Sequence, residues 1–193
     1  MSESTVDGVP RPPADRPRCG WATGAPEYLA YHDEEWGRAV RGDDALFERL
    51  SLEAFQSGLS WLTILRRRPA FRTAFGGFVI ETVSGYDESD VDRLLADTGI
   101  IRNRAKVEAT IRNARAAREI PGGLAAVLWS FAPARRSRPL VEVPATTPES
   151  AAMARELKRR GFAFVGPTTA YAMMQATGMV DDHVEGCWLA GSR

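Results

Sequence analysis

Apolar residues recur at helical spacing along most of the chain, and capping residues separate the apolar stretches. No stretch keeps the period of two that a half-buried strand requires. We therefore expect an all-α fold. The predicted helices begin at Asp43 or Asp44, at Ser60, at Asp87, near Arg104, at Leu124, at Thr147 and at Gly166, with Pro69 interrupting the second and Gly178 closing the last.

Residues 1–17 differ from the rest, because they are rich in proline, serine and charge and offer almost nothing to bury. We expect a disordered tail there and a single helical domain over 18–193. The whole chain is 44% hydrophobic and 26% charged, which is ordinary for a soluble domain. It has no apolar run near the ~18 residues that span a bilayer and no N-terminal apolar signal region. We expect a cytoplasmic monomer without membrane contact.

The formal net charge is zero, but the charge is unevenly distributed. Residues 98–180 hold 13 Lys and Arg against 5 Asp and Glu, whereas residues 1–97 hold 11 against 17 and residues 181–193 hold 1 against 3. A basic segment in an otherwise acidic chain is typical of a face that binds a polyanion. On charge alone, an ordinary solvated basic surface is about equally consistent.

Glu53 lies in a strongly apolar stretch between Leu46 and Trp61. A helix can pack its apolar face there and turn the carboxylate toward a cavity, whereas most glutamates simply face solvent. Gly58 and Ser60 end the helix just beyond it, and the tryptophan follows at once. A buried carboxylate beside a tryptophan indicates a pocket for a nucleobase.

Four aromatic residues, Trp21, Tyr28, Tyr31 and Trp36, fall within about sixteen residues. A single aromatic side chain usually fills a core. Four together, interleaved with potential metal ligands, favour a pocket for a flat ligand.

The only cysteines are Cys19 and Cys187, and the only histidines are His32 and His183. His183 and Cys187 are spaced i, i+4, which brings both side chains to one side of a helical turn. A disulfide is the competing use of the cysteines, but a cytoplasmic setting disfavours it and it leaves the histidines unexplained. We favour a structural Cys₂His₂ zinc site that joins the two ends of the domain.

The segment 87–119 predicts two helices joined by a glycine-containing turn, the second of them basic. Backbone N–H groups at the start of the second helix can hold a phosphate without reading sequence. A plain helical hairpin is the alternative. The triplet Arg66–Arg68 is equally consistent with a phosphate contact and with a helix C-terminus.

These motifs together resemble the DNA-3-methyladenine glycosylase I family over nearly the whole folded chain. The resemblance is carried by Arg18-Cys19-Gly20-Trp21, Tyr31-His32-Asp33-Glu34-Glu35-Trp36-Gly37, Leu52-Glu53, Gln56-Ser57-Gly58-Leu59-Ser60-Trp61, Gly99-Ile100-Ile101-Arg102, Lys158-Arg159-Arg160-Gly161-Phe162 and Asp182-His183-Val184-Glu185-Gly186-Cys187.

The resemblance implies the helix-hairpin-helix DNA glycosylase fold, with 87–119 as the hairpin, and Zn²⁺ as a structural clasp. It implies that Glu53 and Tyr31 act on a flipped 3-methyladenine, that Trp61 stacks on the base, and that Trp21, Tyr28 and Trp36 complete the pocket. It also implies that double-stranded alkylated DNA is bound by Gly58, Leu59, Gly99, Ile100, Arg102, Asn103 and Lys106.

The expected reaction is hydrolytic release of free 3-methyladenine without lyase chemistry. No aspartate occurs between Asp97 and Asp181 to stabilise a sugar cation, and we expect Lys106, one of only two lysines, to contact phosphate rather than attack the sugar. One alternative is a damage-binding protein that does not cleave. A zinc hydrolase is disfavoured because four protein ligands leave no position for water. A helical module that binds a protein partner does not explain the basic segment.

Overall fold

The computed structural model describes residues 5–6, 9–10, 16–134 and 139–191. The described residues form nine α-helices: α1 (Pro26–Glu34), α2 (Asp43–Gln56), α3 (Trp61–Ala74), α4 (Ile80–Ser84), α5 (Glu88–Ala96), α6 (Arg104–Arg118), α7 (Gly123–Trp129), α8 (Pro148–Arg159) and α9 (Pro167–Ala176). Short 3₁₀ helices cover Gly20–Thr23 and Gly76–Phe78. None of these helices is long and apolar enough to cross a membrane.

Extended structure is minimal in the described residues. Strand β1 (Thr5–Val6) pairs antiparallel with β2 (Val9–Pro10), and a single parallel bridge joins Leu140 to Val184. The helical prediction is therefore confirmed. The predicted disorder of 1–17 stays a prediction, because most of that segment lies outside the described residues.

Helix α2 lies at the centre of the packing and contacts α3, α4, α6, α7 and α9. Its apolar face joins the main core through fully buried residues such as Phe47 and Phe55. A second, smaller core contains Cys19, Tyr31 and Cys187. Glu53, near the end of α2, is buried beside Tyr31 and Trp36 of the second core.

Polar cap residues define several helix starts. The Ser60 hydroxyl accepts a hydrogen bond from the amide of Thr63, and Asn103 caps α6 in the same way through the amide of Lys106. Asp87 and Thr147 each form a reciprocal capping box, with Asp90 and Ser150. A polar side chain that satisfies the first free amides explains why these helices begin where they do.

The prediction that Pro69 interrupts the second helix is wrong, since α3 continues through it to Ala74. Proline forfeits one intrahelical hydrogen bond, but its fixed φ is helical. The residues beyond it, Phe71 and Phe75, are fully buried in the main core. Their burial is worth about 2 kcal/mol each and offsets the lost bond.

Candidate active site and metal cluster

A cavity of about 340 Å³ opens between α1, α2, α3 and α9. This volume is within the range of small-molecule sites, roughly 300–1,000 Å³. The six residues predicted to form the pocket all line it, and their individual roles stay predictions. The full lining is Trp21, Tyr28, Tyr31, Trp36, Glu53, Gln56, Trp61, Val143, Ala172 and Gln175.

Glu53 is the only acidic residue of this lining, and only 7% of it is exposed. Burial raises the pKa of its carboxyl to about 8, while Arg49, one helical turn earlier on α2, opposes that shift. This raised pKa favours the protonated carboxyl at neutral pH. A cation entering the cavity would favour the carboxylate, so the site is suited to a positively charged ligand.

The aromatic side chains form a rigid cage around this carboxyl. Trp21 makes edge contacts with Tyr28 and Trp36, at ring-centroid distances of 5.7 and 5.1 Å, and Tyr31 lies 5.4 Å from Trp61. Edge-to-face contacts of this kind fix ring orientations. The cavity therefore presents flat apolar walls that a planar base can contact.

Tyr31 is almost fully buried beside Glu53. Burial first, and the nearby Glu53 carboxyl second, raise the pKa of the Tyr31 phenol. The phenol therefore stays protonated at any physiological pH and keeps one O–H donor available.

Tyr28 positions the start of the helix that carries Trp61. Its phenol oxygen accepts a 2.9 Å hydrogen bond from the amide of Leu62, in the first turn of α3. Ser60 caps the next amide of the same turn. The two caps together fix Trp61, the first residue of α3, at the edge of the cavity.

Four residues of the lining were not predicted from the sequence: Gln56, Val143, Ala172 and Gln175. Ala172 and Gln175 lie on α9, more than a hundred residues from Glu53, and Val143 lies in an irregular segment. The side-chain amide of Gln175 donates a 2.8 Å hydrogen bond to Asp182, which fixes its orientation. Only the presence of Gln56 inside a recognised motif could have indicated one of them.

The predicted metal ligands meet in one buried cluster. The ligand atoms of Cys19, His32, His183 and Cys187 all lie within 4.8 Å of one another, and neither cysteine forms a disulfide. The Cys187 sulfur lies 3.4 Å from Nε2 of His32 and 3.6 Å from Nδ1 of His183, and the Cys19 sulfur lies 3.8 Å from the latter. A tetrahedral site with ordinary zinc–ligand distances separates S and N by about 3.6 Å. The cluster therefore fits a tetrahedral metal ion.

Asp33 supports this cluster from behind. Its carboxylate accepts hydrogen bonds from Nδ1 of His32 at 2.7 Å, from the indole of Trp188 at 3.2 Å and from the guanidinium of Arg18 at 2.8 Å. Since Nδ1 of His32 donates a hydrogen bond to this carboxylate, the unprotonated Nε2 faces the cluster and can bind a metal. The donors come from both ends of the domain, so the cluster joins the N- and C-terminal segments.

Gly58 and Leu59 form the turn between α2 and α3. Gly58 has φ +82°, a conformation that favours glycine, and the side chain of Leu59 is 41% exposed. The Leu59 amide donates a 2.6 Å hydrogen bond to the Gln56 carbonyl, which closes the turn. An apolar side chain is thus presented to solvent in the segment between Gln56 and Trp61, two residues that line the cavity.

The predicted DNA contacts of the α5–α6 turn have different environments. Arg102 and Asn103 are exposed, Ile100 is buried, and the Gly99 amide already donates to Asp97. A Cβ at Gly99 would lie 2.9 Å from Cβ of Ala70, so the turn packs closely on α3. The turn is therefore held in place by its packing on α3. Its DNA contacts stay predictions.

Lys106 is buried instead of forming part of an open basic surface. Its ammonium donates hydrogen bonds of 2.8 and 2.6 Å to the carbonyls of Phe55 and Ser57. The three arginines of the 66–68 triplet also form hydrogen bonds within the protein. Arg66 binds Glu27, Arg68 binds Glu35, and Arg67 donates to the carbonyls of Thr98 and Gly99. Because α3 continues to Ala74, the triplet does not lie at a helix C-terminus, and its phosphate contact stays a prediction.

Comparison with known proteins identifies the family. Residues 21–190 match the methyladenine glycosylase family. The chain is 44% identical to DNA-3-methyladenine glycosylase 1 of Escherichia coli strain K12 over 177 residues, which cover 88% of this chain and 95% of that protein. The chain therefore belongs to the methyladenine glycosylase family.

Solved structures agree with this assignment. The fold is similar to a crystal structure of 3-methyladenine DNA glycosylase I, with a TM-score of 0.85 and 42% identity over 89% of this chain and 98% of that one. A tyrosine-to-phenylalanine variant of 3-methyladenine DNA glycosylase I, solved in complex with 3-methyladenine, has a TM-score of 0.81 and 32% identity over 89% of this chain and 96% of that one. The helical architecture is thus that of the family.

Proposed function

We propose that this protein is a DNA glycosylase that excises 3-methyladenine from alkylated double-stranded DNA by hydrolysis. The observation that carries the proposal is the buried Glu53 carboxyl inside an aromatic cavity of about 340 Å³. The E. coli relative bears the name of this activity, and the cavity has a volume suited to one base. An enzyme of this kind would act in the cytoplasm as a monomer.

Selection of the damaged base would rest on its charge and shape. Methylation at N3 makes the adenine of the nucleotide cationic, and this also weakens its glycosidic bond. A cation in the cavity shifts Glu53 toward its carboxylate, and the aromatic faces of Trp61 and its neighbours attract the positive base. Unmodified adenine gains less from both, so it repays less of the few kcal/mol that base flipping requires.

Glu53 and Tyr31 would be the two residues that act on the base directly. The Glu53 carboxylate would accept a hydrogen bond from the base and offset its charge. The Tyr31 phenol, which stays protonated, would donate one. With a leaving group that is already activated, recognition and orientation supply most of the required catalysis.

Absence of lyase chemistry is supported by the positions of the lysines. A lyase would need an amine at the sugar, but no lysine lines the cavity among the described residues. Lys106 donates to two backbone carbonyls, and Lys158 lies exposed on α8. Excision would therefore leave an abasic site with both strands intact.

Zn²⁺ is the metal that the Cys₂His₂ donor set favours. Cys19, His32, His183 and Cys187 would hold it, and its chemistry there would be structural, because four protein ligands leave no position for water. The cluster would clasp the ends of the domain behind Tyr31 and Trp36. Burial raises the pKa of the Cys19 thiol to about 12, so metal binding has to displace its proton.

DNA binding would involve α5, the 97–103 turn and α6 as a helix-hairpin-helix element. Exposed Arg102 and Asn103, together with backbone amides at the start of α6, would hold phosphate. Leu59 would enter the gap that the extruded nucleotide leaves. The turn 57–60 and the hairpin are adjacent in the fold through Lys106 and Arg67, which supports a shared DNA-binding face.

Chromatography of the bases released from methylated duplex DNA tests the proposal. The wild-type protein, purified with its metal, should release 3-methyladenine and leave no strand break. Tight binding of the methylated duplex without release would instead identify a damage-binding protein that does not cleave. A protein that neither releases the base nor binds the methylated duplex would reject both functions.

A further inference from the structure

Lys106 joins the second hairpin helix to the end of the helix that carries Glu53. Its side chain crosses from α6 and donates two short hydrogen bonds, of 2.8 Å to the Phe55 carbonyl and 2.6 Å to the Ser57 carbonyl. Only 7% of the residue is exposed. A charged donor at the C-terminus of a helix stabilises carbonyls that have no intrahelical partner.

The two carbonyls belong to the residues on either side of Gln56. Gln56, between them, lines the cavity, and its own carbonyl accepts the amide of Leu59 at 2.6 Å. Leu59 follows Gly58, whose positive φ sets the direction of the turn. The ammonium of Lys106 therefore fixes the path of the chain immediately before the exposed leucine.

Arg67 makes a second connection in the opposite direction. It extends from α3 and donates to the carbonyls of Thr98 and Gly99, at 2.9 and 3.0 Å, in the turn of the hairpin. Lys106 therefore ties the end of α2 and the start of the 57–60 turn to α6, and Arg67 ties α3, the helix that follows this turn, to the hairpin turn. Each tie uses a cation on backbone carbonyls, which leaves little freedom for one turn to move relative to the other.

We infer that Lys106 is a positioning residue that holds the 57–60 turn in a fixed place relative to the hairpin, so that Leu59 enters the duplex when the hairpin grips phosphate. This inference rests on the proposed function. With a rigid connection, binding of the DNA backbone by the hairpin also places Leu59 correctly for base extrusion. Small misplacements at such sites can lower the rate by up to about a hundredfold. In this role Lys106 does not bind phosphate itself.

The two roles of Lys106 make different predictions about salt. A phosphate contact releases a counterion, so its loss weakens binding to every duplex and lowers the salt slope by about one. A positioning residue acts after binding. Its loss leaves the affinity for undamaged duplex and the salt slope unchanged, and lowers the rate of excision.

The test uses Lys106→Met, which keeps the length of the side chain and removes its donors. Lys158→Met removes the other, exposed lysine and is the matched control. Leu59→Ala removes the intruding side chain, and the double variant combines it with Lys106→Met. Lys106→Gln, which keeps one amide donor, covers the case in which the methionine variant does not fold.

We expect the single-turnover rate of Lys106→Met on methylated duplex to fall about tenfold to a hundredfold, with Lys106→Gln between it and wild type. The double variant should be no slower than Leu59→Ala alone, because both changes disable the same step. An additive loss, a salt slope lowered by about one, or an unchanged rate would each overturn the inference. The wild-type rate on the same DNA reports on the proposed function itself, so the two failures are distinguishable.

Discussion

Nδ1 of His32 donates a 2.7 Å hydrogen bond to the carboxylate of Asp33, and Nε2 of the same ring lies 3.4 Å from the sulfur of Cys187. The carboxylate therefore selects the tautomer that can bind a metal and holds the ring in place. Because Asp33 also binds Arg18 and Trp188, one side chain organises contacts from both ends of the domain.

Asp33→Asn is expected to weaken metal binding by about tenfold to a hundredfold, the usual cost of losing such a partner. Competition with a colorimetric chelator measures the affinity. The exposed neighbour Glu34→Gln serves as the control and should match wild type. Equal affinity of Asp33→Asn and wild type would show that the hydrogen bond does not support the metal site.

Glu53 should make the stability of the protein depend on pH. Its pKa rises from 4.5 to about 8 on folding, so its contribution to stability is full below about 4.5 and is lost as the pH rises through about 8. Glu53→Gln removes this titration. The free energy of unfolding of the variant, relative to that of wild type, should therefore increase with pH by up to about 1.4 kcal/mol per pH unit.

Urea unfolding of both proteins at pH 5, 6, 7 and 8 provides this comparison. A difference that stays constant over the series would mean that Glu53 titrates at its ordinary pKa in the folded protein. Burial would then not desolvate the Glu53 carboxyl enough to shift its pKa.

Tyr28→Phe should affect the base-binding wall through the backbone. The variant keeps the ring but leaves the amide of Leu62 without its acceptor, at a cost of about 1 kcal/mol in stability. The start of α3, and Trp61 with it, should become less ordered, so that affinity for free 3-methyladenine falls severalfold. Quenching of tryptophan fluorescence measures that affinity, and an unchanged value would limit Tyr28 to a packing role.

The helices were largely predictable because their starts depend on local chemistry. Ser60, Asp87 and Asn103 cap the first free amides of the helices that follow them, and such contacts span only three residues. Helix α4 was not predicted, and neither was α1. Its aromatic and histidine side chains face the cavity and the metal cluster, so it carries no simple apolar stripe.

The site was predictable where a motif held its residues together, as in the stretch from Glu53 to Trp61. Long-range partners were not predictable. Gln175 reaches the cavity only because α9 packs on α2. The charge of Lys106 indicated a phosphate contact, and that of Arg67 either a phosphate contact or a helix C-terminus. Their acceptors are carbonyls 49 and 32 residues away, which no local pattern encodes.

The central claim, that a buried carboxylate recognises the damaged base, is tested most directly by one rate. Single-turnover release of 3-methyladenine from methylated duplex should be compared between wild type and Glu53→Gln, a variant of nearly the same shape without the charge. We expect the variant to be slower by about tenfold or more, since hydrogen bonds to charged groups contribute about 1.5–3 kcal/mol. Equal rates would contradict the account and assign selection to the aromatic walls alone.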